Sequence, residues 1–413
     1  MSEPLSRPPK KDPNARTRFP TLPPGSRSRR AQGLTAAAAE GRFELQVCQD
    51  CSAVQYPPRE VCHACLSDQL QWRPADPSGR LLAVTTLHHS NDLYFRERLP
   101  WRVGTVQLDS GPSVVAHVHG DCHEGEAVRL SLKLDRSGQA VMIALPTKAT
   151  PHMEDDKTLR ETSCDPKFRR ALITDGKSAV GMAAAQALLD AGATMVFVGD
   201  PAPWRKSPPF EALCADPRIQ VQALDVTDTD SVERVSRSIG GKVEILVNTA
   251  GYERDGGLLH NRDLIKAQDS LNVNCIGLMR LAQHFGPSMA GRAADGVNST
   301  VAWVNILSIY AHLNLPSQGI WSASQAAALS MSQCLRSEFR PSGIRVVNVF
   351  SGPIDYEWQQ LTPPPRVAPA ALARAIVKAL KDGVEDAYVG DVAQEFRARL
   401  RDNPKALERE LGA

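Results

Sequence analysis

Two pairs of cysteines, Cys48 with Cys51 and Cys62 with Cys65, are each spaced by two residues and separated from one another by ten. That spacing brings four thiolates around one tetrahedral Zn²⁺. Four sulfurs close the coordination shell, so no position remains for an activated water and the metal is expected to stabilise rather than catalyse. One CxxC alone would equally suit a redox dithiol. Two at this spacing, with Tyr56-Pro57-Pro58-Arg59 between them, favour structural zinc and leave His63 a bystander. Cys122, Cys164, Cys214, Cys275 and Cys334 are scattered and read as free thiols.

A second group has the outline of a proton-transfer site with the wrong residues in it. Ser308 stands thirteen residues ahead of Trp321-Ser322-Ala323-Ser324-Gln325. A serine at this spacing can polarise a carbonyl, but reduction then needs a tyrosine as general acid and a lysine one helical turn later to lower its pKa. Trp321 stands at the tyrosine position, and an indole N–H donates a hydrogen bond without exchanging its proton near neutral pH. Gln325 stands at the lysine position and carries no charge. Tyr310 and His312 follow Ser308 closely, yet on a loop rather than on the helix that should carry the acid.

These residues need elements to hold them. The first 33 residues are rich in Pro, Ser and Arg without periodicity and are expected to form a disordered tail. The tail's basic residues could also dock an acidic partner, but a solvated tail is the simpler reading. Residues 34–146 are expected to form the ribbon and a small barrel. Five alternating or apolar runs, RLLAVTTLHH, RVGTVQL, SVVAHVH, AVRLSLKL and QAVMIAL, are separated there by turn residues. The polar stretch 147–166 is expected to be a linker. From residue 167 to 413 strands alternate with helices: RRALIT, TMVFVGD, IQVQALDV, VEILVN, TVAWVNILS and IRVVNVF are strands, with long helices over Asp263 to Met289, Gln318 to Phe339 and Pro369 to Lys381. The pattern predicts a Rossmann-like, doubly wound parallel α/β sheet behind a zinc ribbon and a five-stranded barrel. Two domains fit a chain of 413 residues that is 42% hydrophobic. The net charge of +2, from 48 basic and 46 acidic side chains, offers no broad field for nucleic acid or a membrane surface. With no run near the ~20 apolar residues of a membrane span and no signal-like start, the expected location is the cytoplasm.

Residues 43–146 resemble the rubredoxin-like zinc ribbon plus oligonucleotide-binding-type (OB) barrel associated with acyl-CoA metabolism, through the CxxC pair, YPPREVCHAC, GRLLAVTTLHH, PWRVGTVQLDSG and EGEAVRLSLKL. The resemblance implies a module without catalytic residues that pairs with a thiolase-superfamily enzyme or a hydratase and helps hold acyl-CoA. Tyr94, Phe95, Arg96, Arg98, Trp101 and Arg102 would then either touch the CoA phosphates and adenine or pack against the ribbon or a partner. The same aromatic and basic cluster is the only support for a nucleic-acid-binding barrel, and the near-neutral strands around it weigh against that reading.

Residues 170–392 resemble a short-chain dehydrogenase/reductase. Thr174 to Gly181 stand where that family has TGxxxGxG, Asn248-Thr249-Ala250-Gly251 match NNAG, Asn274 matches the proton-relay asparagine, Ser308 the carbonyl-polarising serine, and Ser351-Gly352-Pro353-Ile354-Asp355 the PG loop. The resemblance implies cofactor contacts at Gly176, Gly181, Asp200, Asp225, Asn248, Ala250 and Gly251. Asp175 and Ala179, however, replace the first two glycines and bring a carboxylate and a methyl toward the phosphates, which leaves at most weak NAD(P) binding. Gly181, Asn248, Ala250 and Gly251 would serve equally to tighten the turns of the fold. Together with Trp321 and Gln325 this reads as a pseudoenzyme domain. The expected function is a scaffold coupling a thiolase-superfamily enzyme to an intact short-chain dehydrogenase that acts on 3-hydroxyacyl-CoA, or self-association through the same long helices. The rival is an NAD(P)-dependent oxidoreductase with an atypical acid.

Overall fold

The structure, a computed structural model, describes residues 2–8, 18–259, 264–294, 299–356 and 365–412. The chain divides into two compact units, one built mainly from Pro20–Cys164 and the other mainly from Asp165–Lys381 and Glu385–Ala413.

In the first unit, β1 (Glu44–Cys48) lies between β2 (Val54–Gln55) and β3 (Leu70–Pro74) in a three-stranded antiparallel sheet. The five alternating runs form β4 (Ser78–Leu87), β5 (Trp101–Leu108), β6 (Ser113–Val118), β7 (Ala127–Leu134) and β8 (Ala140–Pro146), which close in the order β4-β5-β6-β8-β7. Alternation fills the barrel with Leu81, Val106, Val114, Val118, Leu130 and Leu134, all essentially without exposure. The helix Gln32–Ala39 adds Leu34, Ala37 and Ala38 to the same core, against which Tyr56 and Trp72 of the ribbon also pack.

Gly33 permits that helix to approach: a Cβ there would fall 2.0 Å from Trp72 Cε2. Gly33→Ala should therefore lower the stability of this unit by about 1–3 kcal/mol, the usual cost of overpacking. A thermal midpoint unchanged from wild type would show that the indole swings clear.

Two expected irregular segments are in fact held against this unit. Part of the presumed tail is fixed where Ser137 Oγ donates to the Pro23 carbonyl (2.5 Å) and Thr21 Oγ1 to Glu97 (2.6 Å); residues 9–17 of that tail lie outside the described residues. Within the presumed linker, Thr150 Oγ1 donates to Asp121 (2.5 Å), Asp156 accepts from the Gly120 N–H (2.9 Å) and Tyr94 donates to Glu161 (3.0 Å). The division between units falls at Cys164/Asp165. Single long-range hydrogen bonds, with no periodic element to announce them, hold both segments.

The second unit is a seven-stranded parallel sheet ordered β11-β10-β9-β12-β13-β14-β15. Its strands are β9 (Arg170–Ile173), β10 (Met195–Gly199), β11 (Ile219–Gln222), β12 (Ile245–Asn248), β13 (Ala302–Ser308), β14 (Arg345–Ser351) and β15 (Asp386–Val389). The core on one side is built around Phe197, Leu246, Phe285, Trp303 and Phe350, all fully buried. The order reverses between β9 and β12, where a doubly wound sheet opens a crevice at its carboxyl edge. The first long helix is interrupted: Ile265–Leu271 and Gly277–Ala290 are α-helical and Asn272–Ile276 is a π-helical turn, while its expected start, Asp263, lies outside the described residues. The second runs over Gly319–Phe339 and the third over Pro369–Asp382. Among the described residues no helix is long and apolar enough to cross a membrane.

Candidate functional site

The four cysteines converge in the ribbon. Cys48 Sγ lies 3.6 Å from Cys65 Sγ and Cys51 Sγ 3.6 Å from Cys62 Sγ, and all four lie within 4.8 Å of one another. Zinc–sulfur bonds of ~2.3 Å in a tetrahedron require sulfurs about 3.8 Å apart, so the donor set and its spacing fit the ion. The Cys51 N–H and, after it, that of Asp50 hold the Cys48 thiol down at about 7, against the opposing effect of burial. The N–H groups of Cys65 and Ala64 lower Cys62 likewise, the latter at 3.4 Å from its sulfur. Backbone amides aimed at sulfur favour the thiolate, the form that binds a metal. The N–H groups of Ala53 and Ser67 act likewise at Cys51 and Cys65, but burial and hydrogen bonding with neighbouring sulfurs push those two thiols up. His63 is outside the set, its N–H and Nδ1 both directed at Gln55 Oε1 (3.1 and 3.2 Å).

The Tyr94 to Arg102 cluster turns inward. Arg98 stacks over the Tyr94 ring (3.9 Å) and pairs with Glu161 (2.9 Å), while Arg102 donates to the carbonyls of His119, Gly120 and Cys122. Trp101 donates to His117 Nδ1 at 2.9 Å. Tyr94, Arg98, Trp101 and Arg102 thus pack against the barrel and the segment after it, where packing against the ribbon or a partner was the expected alternative to a CoA contact. Arg96 stays exposed.

In the second unit, the serine and the two replaced positions do meet. Ser308 ends β13, and its Oγ accepts from the Tyr310 N–H (3.2 Å). Gln325, 4% exposed, accepts the Ser308 N–H at 2.9 Å and so ties the helix Gly319–Phe339 to the strand end. Trp321 packs into an apolar cluster of Ile309, Tyr310, Leu313, Ala393 and Leu407, the last two from the C-terminal helices Asp391–Asp402 and Pro404–Leu411. The indole is thus a packing residue. Tyr310 offers no replacement acid: burial and then the Glu253 charge push its phenol up, the wrong direction for proton transfer near neutral pH. Asn274, in the π-turn, accepts from the Tyr252 N–H (2.9 Å) and donates to Tyr252 O (3.0 Å) and Ser324 Oγ (2.9 Å).

At the crevice the loops after β9 and β12 are laced together. Thr174 Oγ1 donates to Asn248 Oδ1 (2.8 Å) and accepts the N–H groups of Thr249 and Ala250 (3.0 and 3.1 Å). A Cβ at Gly181 would sit 1.9 Å from the Asp175 carbonyl, so that glycine is required by the turn. Gly176 is also confined, a Cβ there falling 2.5 Å from Val198 Cβ. Gly251 differs from expectation: it is exposed, and an added Cβ would meet nothing within 4 Å, so it tightens no turn. Asp225 accepts from Thr227 N–H and Oγ1 (2.8 and 2.7 Å) as a loop cap.

The carboxylate of Asp175 does not project outward as its position in the motif suggests. Its Oδ1 turns back onto the N–H groups of Lys177 and Ser178, both at 3.2 Å. Desolvation, opposed by those two amides and reinforced by the Asp200 charge, pushes this carboxyl up to about 6. Lys177, missed in the sequence, reaches Asp200 Oδ1 at 2.8 Å and donates to the carbonyls of Ala202 (2.8 Å) and Arg205 (2.7 Å).

The family models agree with this division. Residues 35–71 match the ChsH2 rubredoxin-like zinc ribbon domain, residues 72–133 the ChsH2 C-terminal OB-fold domain, and residues 169–364 short chain dehydrogenase. Farnesol dehydrogenase of Aedes aegypti is 30% identical over 187 residues, 43% of this chain and 72% of that protein. Short-chain dehydrogenase fogD of Aspergillus ruber is 30% identical over 191 residues, 45% of this chain and 58% of its own length. The crystal structure of a short chain dehydrogenase from Burkholderia cenocepacia J2315, in complex with NADP, is 31% identical with a TM-score of 0.54 and covers 60% of this chain and 98% of that one. The chain therefore belongs to the short-chain dehydrogenase family, and it carries a ChsH2-type zinc ribbon and OB-fold domain ahead of its dehydrogenase-like domain.

Proposed function

We propose that this chain is a non-catalytic accessory subunit of acyl-CoA metabolism. One observation carries the reading: the two positions that should move a proton are built into the packing, Gln325 on the Ser308 backbone and Trp321 in the apolar cluster beneath the C-terminal helices. Among the described residues neither replaced position offers Ser308 an acid, which leaves its hydroxyl without the partner that proton transfer needs. What remains are surfaces. The ribbon and barrel are the half that docks on a thiolase-superfamily enzyme and contributes to holding acyl-CoA. The α/β half pairs with an intact short-chain dehydrogenase acting on 3-hydroxyacyl-CoA, or with itself. Support for that second contact is an exposed apolar row of Leu264, Ile265, Leu271, Ile276 and Met279 along the interrupted helix.

The test is an assay of the homogeneous full chain with 3-hydroxyacyl-CoA and 3-oxoacyl-CoA, supplied with NAD(H) or NADP(H). No turnover is expected, and Trp321→Tyr with Gln325→Lys should not create it. Robust turnover by the wild-type chain, abolished in Ser308→Ala, would establish an oxidoreductase with an atypical acid instead. In parallel, co-expression with a thiolase-superfamily enzyme and an intact dehydrogenase should yield one complex on size exclusion. Separate elution of all three would end the accessory reading.

A further inference from the structure

We propose that the nucleotide crevice of the dehydrogenase-like domain is closed by its own side chains, with Asp175 and Lys177 holding the groups a dinucleotide would need. This rests on the accessory reading and carries it from lost catalysis to lost cofactor binding.

A pyrophosphate at this turn is held by backbone N–H groups, with a carboxylate at the end of the next strand taking the ribose hydroxyls. The residues present do not fit that group. The N–H groups of Lys177 and Ser178 are directed to Asp175 Oδ1, that of Gly181 to Ser178 Oγ (3.0 Å) and that of Gly176 to Gly199 O (2.8 Å). A phosphate entering here meets a carboxylate of its own sign where it needs donors.

The ribose end is closed in the same manner. Asp200, 6% exposed, takes the Lys177 ammonium and the Ala202 N–H (3.0 Å) on one oxygen. Lys177 also donates to two carbonyls, so its three N–H bonds are spent. Asp200 Oδ1 is thus taken by these two donors, and a sugar that reaches this carboxylate meets one already paired with an enclosed cation. The backbone frame is intact, since Gly181 keeps the close crossing of strand end and helix. The block therefore resides in side chains, which makes it removable by substitution.

The experiment is a fluorescence titration of the full chain with NADH and with NADPH, alongside circular dichroism and a thermal melt to establish folding. Wild type should show no saturable binding up to about millimolar nucleotide. The double variant Asp175→Gly with Lys177→Ser should saturate with a Kd lower by roughly a hundredfold or more, as expected for removing one repulsive charge and one competing cation. Should that variant fail to fold, Asp175→Ser with Lys177→Ser keeps a hydroxyl for the turn's amides and is read in the same way. Micromolar binding by wild type overturns the inference, as does a folded double variant that stays silent. Wild-type binding without turnover overturns this inference alone and leaves the accessory reading standing. Turnover lost in Ser308→Ala overturns both.

Discussion

Stripping the metal from Cys48, Cys51, Cys62 and Cys65 should unfold the ribbon while leaving the parallel sheet cooperative. Freshly purified protein is expected to hold one zinc per chain, and Cys48→Ser or Cys62→Ser to lose it, because each removes one of four sulfurs from a shell that has no spare ligand. A structural site of this kind is worth on the order of 10–16 kcal/mol to the segment it organises, far more than a three-stranded sheet with a two-residue strand can supply alone. The loss will spread, since Tyr56 and Trp72 pack on the barrel core. Chelator should therefore split the thermal transition, lowering the part that belongs to the first unit and sparing the second. Protein purified without zinc, or a melt indifferent to chelator, would remove the ion from the account.

Asp175→Asn should stabilise the dehydrogenase-like domain, and only at the pH values where the native carboxyl is charged. Burial raises the folded-state pKa to about 6 from the ordinary 3.8, so folding favours the protonated form. Stability is then fully present below the unfolded pKa and declines as pH rises through the folded one. With partial solvent access to the side chain, that rise corresponds to about 1–2 kcal/mol. The amide keeps an oxygen for the N–H groups of Lys177 and Ser178 and removes the charge. Denaturation curves for the two proteins should coincide near pH 4 and separate by about that amount near pH 8. A difference that does not vary with pH, or an Asn variant weaker at pH 8, would mean that the carboxylate is stabilised where it lies.

Regular patterns were legible in the sequence, and single contacts were not. The barrel strands could be read from regular alternation in Ser113–Val118 and Ala127–Leu134, and elsewhere from short apolar runs bounded by turn residues. The strand Asp386–Val389 escaped because it has four residues, all half-buried, and no alternation to show. The four cysteines were legible because ligand spacing is itself a geometric statement. Trp321 and Gln325 could be recognised as replacements, but not the packing they serve, because the cluster against Trp321 joins Ile309, Tyr310 and Leu313 to Ala393 and Leu407 from far along the chain. Lys177 was overlooked because its partners are backbone carbonyls of a loop 25 and 28 residues away, and carbonyls carry no sequence signature. The inward turn of Asp175 hangs on a side-chain rotation that the motif does not fix.

The burial of Gln325 against the strand end gives the loss of chemistry a direction in time. Returning a lysine to that position would place an ammonium where the present side chain is 4% exposed and accepts a backbone N–H, exchanging an acceptor for a donor facing a donor. Returning a tyrosine at Trp321 would leave part of an apolar cluster unfilled and bring a hydroxyl into it. Each step back toward an active ancestor lowers the stability of the fold before any activity can reward it. Under the accessory reading the domain sits behind a ratchet: the residues at the two replaced positions are part of what holds it together.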